Sequence, residues 1–469
     1  MAPTHPTENS RATHALQRLA NLPVSLLGLA LFRAWVPTVL GQSSGHDAMG
    51  LLHDGVLAAL LLCGALLAAR IAPLSRRRWP LYACAAASLG AWFAFLARSN
   101  GLDTPAATAL VAILCTAASA LFILQWCEIY ARLPVDQTAL VLGLSFVLGR
   151  VLEFLMAGMA PVQTALCLLG LPLLSLLALA RARTVAPAEA PAAAPARGSL
   201  PWGIVALIGL YYLVSGACLQ EAGNLADTLS GIMTATAGAA LVGAVLFFGG
   251  SLDLSRVCKS PVAMLCCVLL LIPFAGAAAN PLAAACTALS AAVFELVVFL
   301  MMCDLCRRRN LPAVFVFGIE ESLTVLRPLG AFLAGAATQA HLPTALVEAA
   351  AVGILAVATL VLFNRADLQG RWGIAVLDRG GLSEGRDAKE RLAASCERLC
   401  DEAGLTPRER EALGCLAQGL TVTELAQAMG VAKGTAKAHC EHVYAKLGIH
   451  GREELERMLG GAEGEKQGS

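Results

Sequence analysis

Charge is scarce in this sequence. Asp, Glu, Lys and Arg make up only 14% of its 469 residues, against ~25% in soluble globular domains. That shortage excludes a wholly soluble protein. Recognisable chemistry is missing too: the chain has no glycine-rich nucleotide loop, no phosphoacceptor domain and no constellation of catalytic side chains, so neither an enzyme nor a phosphorelay receiver is expected. No cleavable signal pattern precedes the first apolar run, because Met1 to Leu22 is polar; that run is expected to act as its own insertion signal. What fills the chain instead is apolar: 57% hydrophobic residues and a mean hydropathy of +0.68. These values indicate an integral membrane protein with a soluble tail.

Sixteen cysteines are present. Cys63, Cys84, Cys115, Cys167, Cys266, Cys267 and Cys286 sit inside apolar runs, where cysteine is a small apolar residue. Cys303/Cys306, Cys396/Cys400 and Cys440/His442 flank different elements, so no metal site and no cofactor is expected. A cytosolic tail keeps its thiols reduced.

A helix needs ~20 apolar residues to cross a bilayer. Such runs occur at 20–40, 51–73, 79–99, 105–127, 138–160 and 162–180, and again at 201–220, 229–250, 261–279, 281–303, 313–338 and 344–364. The expected class is all-α: a polytopic transmembrane helix bundle of about 12 spans in two six-helix halves, with a small soluble C-terminal helix-turn-helix domain. The expected segments are 1–19 (cytoplasmic), 20–183 (first half), 184–200 (Pro/Ala linker), 201–364 (second half), 365–403 (linker), 404–460 (helix-turn-helix) and 461–469 (disordered tail).

Loop charge sets the orientation. Fifteen Lys or Arg fall on one side: Arg11, Arg18, Arg70, Arg76, Arg77, Arg78, Arg132, Arg181, Arg183, Arg197, Arg256, Lys259, Arg307, Arg308 and Arg309. Arg98 alone falls on the other. The positive-inside rule therefore places both termini in the cytoplasm.

The halves echo one another: Pro23 and Pro201, Cys127-Glu128 and Cys303-Asp304, Leu133-Pro134 and Leu311-Pro312, Arg150 and Arg327 recur at offsets of 176 to 178 residues. Arg33, Arg150, Glu153, Glu295, Glu320, Glu321 and Arg327 lie within the spans, where a lone charge costs ~2.5–3.5 kcal/mol, so they should face the interior or one another. They form either a polar cavity binding a small ligand or proton, or structural ion pairs between helices.

The tail, Leu405 to Met458, is punctuated into four short helices. Thr406/Glu409 and Thr421/Glu424 read as capping boxes, with Pro407 at a first helical position. Gly419, Gly430 and Gly448 stand where left-handed C-caps want glycine. In the third helix Ala436, Cys440, Val443 and Leu447 fall at core spacing, leaving Gly434, Lys437, Ala438, Glu441, His442 and Ala445 outward, with Lys433, Lys437 and Lys446 along that face. A small-sided, lysine-lined helix fits a major groove. The module carries seven cations against seven acids. Before it, Leu392, Cys396 and Leu399 give 387–402 helical spacing, suited to pairing with another copy or to leading into the module.

These residues resemble the LuxR-type helix-turn-helix of bacterial transcription regulators. The resemblance rests on Leu405, Thr406, Arg408, Glu409, Glu411, Leu413, Gly419, Glu424, Ala426, Thr435, Lys437, His439, Tyr444, Lys446, Leu447, Gly448, Arg452 and Leu455. It implies double-stranded DNA as partner, base contacts from Lys437 and Ala438, and a DNA surface of Lys433, Gly434, Thr435, Lys437, Ala438, Glu441, His442 and Lys446. It also implies dimerisation through a last helix beginning at His450-Gly451. Ala432 replaces the usual serine cap of the third helix, and Glu441 stands where a basic or amide residue is frequent.

The two repeated halves are similar to the major facilitator superfamily. The Arg76-Arg77-Arg78 loop sits at that family's basic signature, without its glycine and aspartate. Together the two resemblances imply a multi-pass regulator of the bacterial inner membrane, sensing an unknown small molecule. The alternative is a facilitator-like transporter with a regulatory tail.

Overall fold

The computed structural model describes residues 19–20, 22–40, 48–102, 104–187, 200–219, 223–248, 251–252, 279–341, 352–359 and 377–378, and in the tail 396, 399–400, 403–417, 425–426, 429–449 and 454. The chain forms two units, Met1–Asp378 and Arg379–Ser469.

The first unit is helical because its long runs of Leu, Ala and Val can satisfy their backbone groups in lipid only internally. Its helices are α1 (Gly28–Leu40), α2 (Ala48–Leu66), α3 (Trp79–Ser99), α4 (Pro105–Tyr130), α5 (Val135–Ala157), α6 (Pro161–Val185), α7 (Trp202–Leu219), α8 (Gly223–Gly243), α9 (Ala279–Arg309), α10 (Ala313–Ser322) and α11 (Leu326–Gln339). Residues 352–359 are also helical. Two-residue strands, Ser251–Leu252 and Leu377–Asp378, pair antiparallel.

Six described helices are long and apolar enough to cross a bilayer; a bent pair, Gly50–Leu66 and Ala68–Arg76 at 66°, makes a seventh. Val24–Leu40 and Trp202–Cys218 are shorter apolar helices. Of the twelve expected spans, 261–279 lies outside the described residues save for Ala279, and of 344–364 only 352–359 is described. The eleventh, expected as one run, is interrupted: a 3-10 turn, Leu323–Val325, separates α10 from α11. Pro328 supplies the reason. It has no N–H to give Thr324, and its ring crowds that carbonyl.

The two halves meet along α5 against α8 and α2 against α10. Glycine permits both contacts. A Cβ on Gly143 would sit 2.8 Å from the Gly238 carbonyl oxygen, one on Gly238 2.7 Å from that of Gly143, and one on Gly318 2.7 Å from that of Leu61. Several large polar side chains of the interior find partners, as burial away from water favours. Trp35 Nε1 donates to the Leu168 carbonyl at 3.0 Å and Tyr130 OH to that of Leu26 at 2.7 Å.

The second unit has a core of its own. Leu405, Leu413, Leu416, Leu425, Met429 and Val443 are buried together, with Cys400 among them and Cys396 and Leu399 packed against them. Of the apolar stripe before the module, Cys396 and Leu399 thus lie against this core, and Leu392 lies outside the described residues. Helix α12 (Pro407–Ala417) packs on α13 (Lys433–Leu447). The first capping box forms as expected: Thr406 N donates to Glu409 Oε2 at 2.7 Å, and Glu409 N to Thr406 Oγ1 at 3.4 Å. Gly430 and Gly448 take φ of 65° and 68°, the left-handed C-cap conformation. Thr421, Glu424 and Gly419 lie outside the described residues.

Candidate functional sites

In the tail, α13 buries Ala436, Cys440 and Val443 and exposes Gly434, Thr435, Lys437, Glu441, His442 and Lys446; Ala438 is half-buried. Ala432 caps it with no side-chain hydrogen bond. The charges on this face are not independent. Lys437 Nζ lies 3.6 Å from Glu441 Oε1, one turn on, with both side chains well exposed. Lys446 Nζ donates to Glu409 Oε2 at 2.7 Å and to the Gly404 carbonyl at 3.3 Å, and His442 Nδ1 lies 3.9 Å from Glu409 Oε1. Glu409 thus closes the cap of α12 and ties α13 to it. Its carboxyl is pulled down to about 2, first by the Lys446 hydrogen bond and then by the Thr406 amide. It is 5% exposed but near the surface of a small domain, so desolvation opposes this pull only weakly. Lys433 is the first residue of α13. Of the expected last helix, only Glu454 is described, and it is helical; His450 and Gly451 lie outside the described residues.

Residues 403–459 match the family described as bacterial regulatory proteins, luxR family. They are a LuxR-type helix-turn-helix domain. The "Probable HTH-type transcriptional regulator GfsR" of Streptomyces halstedii is 44% identical over 62 residues, and an HTH-type regulator of Aeromonas salmonicida is 45% identical over 51. The matches cover 13% and 11% of this chain and 26% of each relative, so the chain spans about a quarter of the length of these relatives. The LuxR-type domain accordingly carries the DNA-binding identity, and the membrane unit stands outside these matches.

The membrane unit brings its expected charges together. Arg33 on α1 reaches α9, Nη1 to Glu295 Oε1 at 2.9 Å, and its guanidinium lies 3.8 Å from the centroid of the Phe146 ring. Arg150 Nη1 meets Glu153 Oε2 at 2.7 Å, three residues along α5. Glu320, buried, accepts from Tyr212 OH at 3.1 Å, and Arg327 lies 5.2 Å from the centroid of that tyrosine ring. Glu321 is in electrostatic reach of Glu295, Arg33 and Arg327, and Arg150 in reach of Glu295. Helices of both halves thus share one charge cluster, with Glu153 joined to it through Arg150.

Sequence reasoning missed part of this site. His53 and Asp54 on α2 interrupt an apolar run, which was signal enough. His53 Nδ1 is 2.7 Å from Thr116 Oγ1, whose own proton goes to the Ala112 carbonyl at 2.6 Å, so the imidazole donates through Nδ1. Asp54 faces Arg327 electrostatically. A cavity of about 210 Å³ opens beside Arg33, Arg150 and His53. Glu128, read in the sequence only as a repeat marker, accepts from the Leu74 and Ser75 amides at 3.0 and 2.7 Å and stands 3.7 Å from Arg132. In the second half Asp304 stands 3.7 Å from Arg307, which also donates across to the Leu133 carbonyl. Among the described residues no three His, Cys, Asp or Glu converge as a metal site.

A bacterial homologue of the iron transporter ferroportin, solved outward-facing with soaked iron, is 16% identical at a TM-score of 0.53, covering 76% of this chain and 99% of that one. At that identity the likeness is one of fold. It supports the polytopic helix bundle expected from the apolar runs. The major facilitator transporter FucP is 12% identical at a TM-score of 0.46, too distant to bear on the matter.

Proposed function

We propose that this chain is a membrane-bound transcription regulator, in which the transmembrane bundle senses a small molecule and sets the activity of the LuxR-type domain. One observation carries the reading: a LuxR-type domain with an exposed third helix shares a chain with a helix bundle in which two half-buried, ion-paired arginines line a cavity. In this reading Lys433, Gly434, Thr435, Lys437, Ala438, Glu441, His442 and Lys446 form the DNA face, with Lys437 and Ala438 at the bases. Arg33, Arg150, Glu153, Glu295, Glu320, Glu321 and Arg327 form the sensing site. The protein lies in the bacterial cytoplasmic membrane with both termini inside, where DNA is, and its tail works as a dimer. A ligand acts by binding one bundle conformation more tightly than another.

The test joins the two ends. A promoter bound by the tail drives a reporter in cells carrying the full chain, with candidate ligands added outside. A ligand-dependent change that Arg150→Gln removes, with tail binding intact, supports the reading. A reporter that follows the tail alone and ignores the bundle refutes it. The second reading is a transporter whose tail regulates it; the charge cluster between the halves favours it as well. Ligand flux into proteoliposomes containing the chain without residues 379–469 would select that reading.

A further inference from the structure

We infer that the cavity among α1, α2, α4 and α5 is a binding site for a small organic carboxylate with an apolar body. The polar groups on its wall are two guanidiniums, Arg33 and Arg150, the imidazole of His53 and the hydroxyl of Ser119; no carboxylate is among the lining residues, and Phe32 and Leu57 belong to the apolar remainder. Among the described residues Arg33 and Arg150 donate through Nη1 alone, to Glu295 and Glu153. Each guanidinium carries five N–H donors in a planar fork that suits a carboxylate. The glutamates hold the forks in place and lower the cost of burying them, while the remaining donors serve a ligand.

Gly149 brings the two arginines together. A Cβ there would meet the Arg33 Cβ at 3.2 Å and the Ala30 carbonyl oxygen at 3.3 Å, so glycine lets α5 close on α1 with Arg150 next in sequence. Size agrees as well. A cavity of ~150 Å³ holds benzene, and this one, at about 210 Å³, has room for a ring and a carboxylate. A cationic ligand would meet two guanidiniums and no acid on the wall. A neutral apolar one would shield the half-buried guanidiniums from water without giving their donors partners, which costs affinity. The inference deepens the sensing reading and rests on it for its biological consequence.

The experiment uses the full chain in detergent and three probes with one ring and different heads: benzoate, benzylammonium and benzyl alcohol. Calorimetry should give benzoate a Kd at least roughly tenfold below those of the other two. The double variant Arg150→Gln/Glu153→Gln, which leaves no glutamate without its arginine, should weaken benzoate binding by a similar factor while the protein elutes unchanged. Arg33→Gln strips Glu295 of its partner, so the double variant Arg33→Gln/Glu295→Gln serves in its place and should also lose benzoate. Benzylammonium binding as tightly as benzoate overturns the inference. So does benzoate binding equally to Arg150→Gln/Glu153→Gln, or no benzoate binding below about 10 mM. A benzylammonium preference would discard the ligand class and keep the sensor. Benzoate binding with a reporter that never responds would keep the site and discard the sensor.

Discussion

At the scale of single residues, Glu409 joins the most functions. It accepts from Thr406 and Lys446, and His442 stands 3.9 Å away. Its carboxyl is lowered from 4.5 to about 2. A depressed folded-state value contributes stability above the unfolded value, and that contribution is lost as pH falls through the folded one. The LuxR-type domain should therefore lose stability between about pH 4.5 and 2, and Glu409→Gln should flatten that limb in thermal melts taken across the range. On the outer face, Lys437→Ala should weaken specific duplex binding by roughly 1–3 kcal/mol if the lysine reads a base. An equal loss on unrelated duplexes would demote it to a phosphate contact. The third helix was legible here because its buried and exposed residues follow one period. The pairing of Lys446 with Glu409 was not, because 37 residues separate them in sequence.

At the scale of elements, cap and seam make different predictions. Helix α13 starts at Ala432 without a side-chain cap. Ala432→Ser should stabilise the tail by roughly 0.5–1 kcal/mol, read as a rise of a few degrees in its melting midpoint. An unchanged midpoint would mean the helix start is already satisfied by other groups. In the membrane unit, α7 and α11 touch at Gly216 and Gly330, where an added Cβ would overlap the Arg327 and Leu213 carbonyls. Gly216→Val should lower the amount of protein in the membrane, measured by immunoblot, whereas Gly231→Val, with open space around it, should not. Hydropathy made most spans readable, since apolar length alone nearly specifies a transmembrane helix. The interruption at Leu323–Val325 was readable too, through Pro328, had the proline been weighed; yet Pro37 and Pro172 sit within unbroken α1 and α6. Proline marks where a helix can give way, and packing decides whether it does. The 66° bend after Leu66 has no proline at the break, so nothing local announced it.

At the scale of the whole molecule, charge bias and charge cluster are the testable features. A cytosol-dependent reporter fused after Arg365 should be active; a periplasmic reporter active there would reverse the proposed orientation and remove the tail from DNA. Arg327→Ala and Glu321→Gln separate sensing from scaffolding. Normal membrane abundance with an altered response to ligand would assign them to sensing, and normal abundance with an unaltered response would rule that out. Lost abundance would assign them to holding the halves together. The position of these charges on facing helices could be guessed from the repeat, but the pairing of Arg33 with Glu295 spans 262 residues and needed the fold. The lysines of α13 have a consequence for the tethered protein as a whole. Lys437 stands beside Glu441, and Lys446 is held by Glu409. Each phosphate neutralised by a fresh cation releases counterions and steepens the salt dependence of binding by ~0.9 in log–log slope. Of the two, Lys446 is the one held closely, so we expect it to add less to that slope than a free lysine would. Lys446→Ala should then leave the salt slope of operator binding nearly unchanged, whereas Lys437→Ala should lower it by about 0.9 if that lysine meets a phosphate.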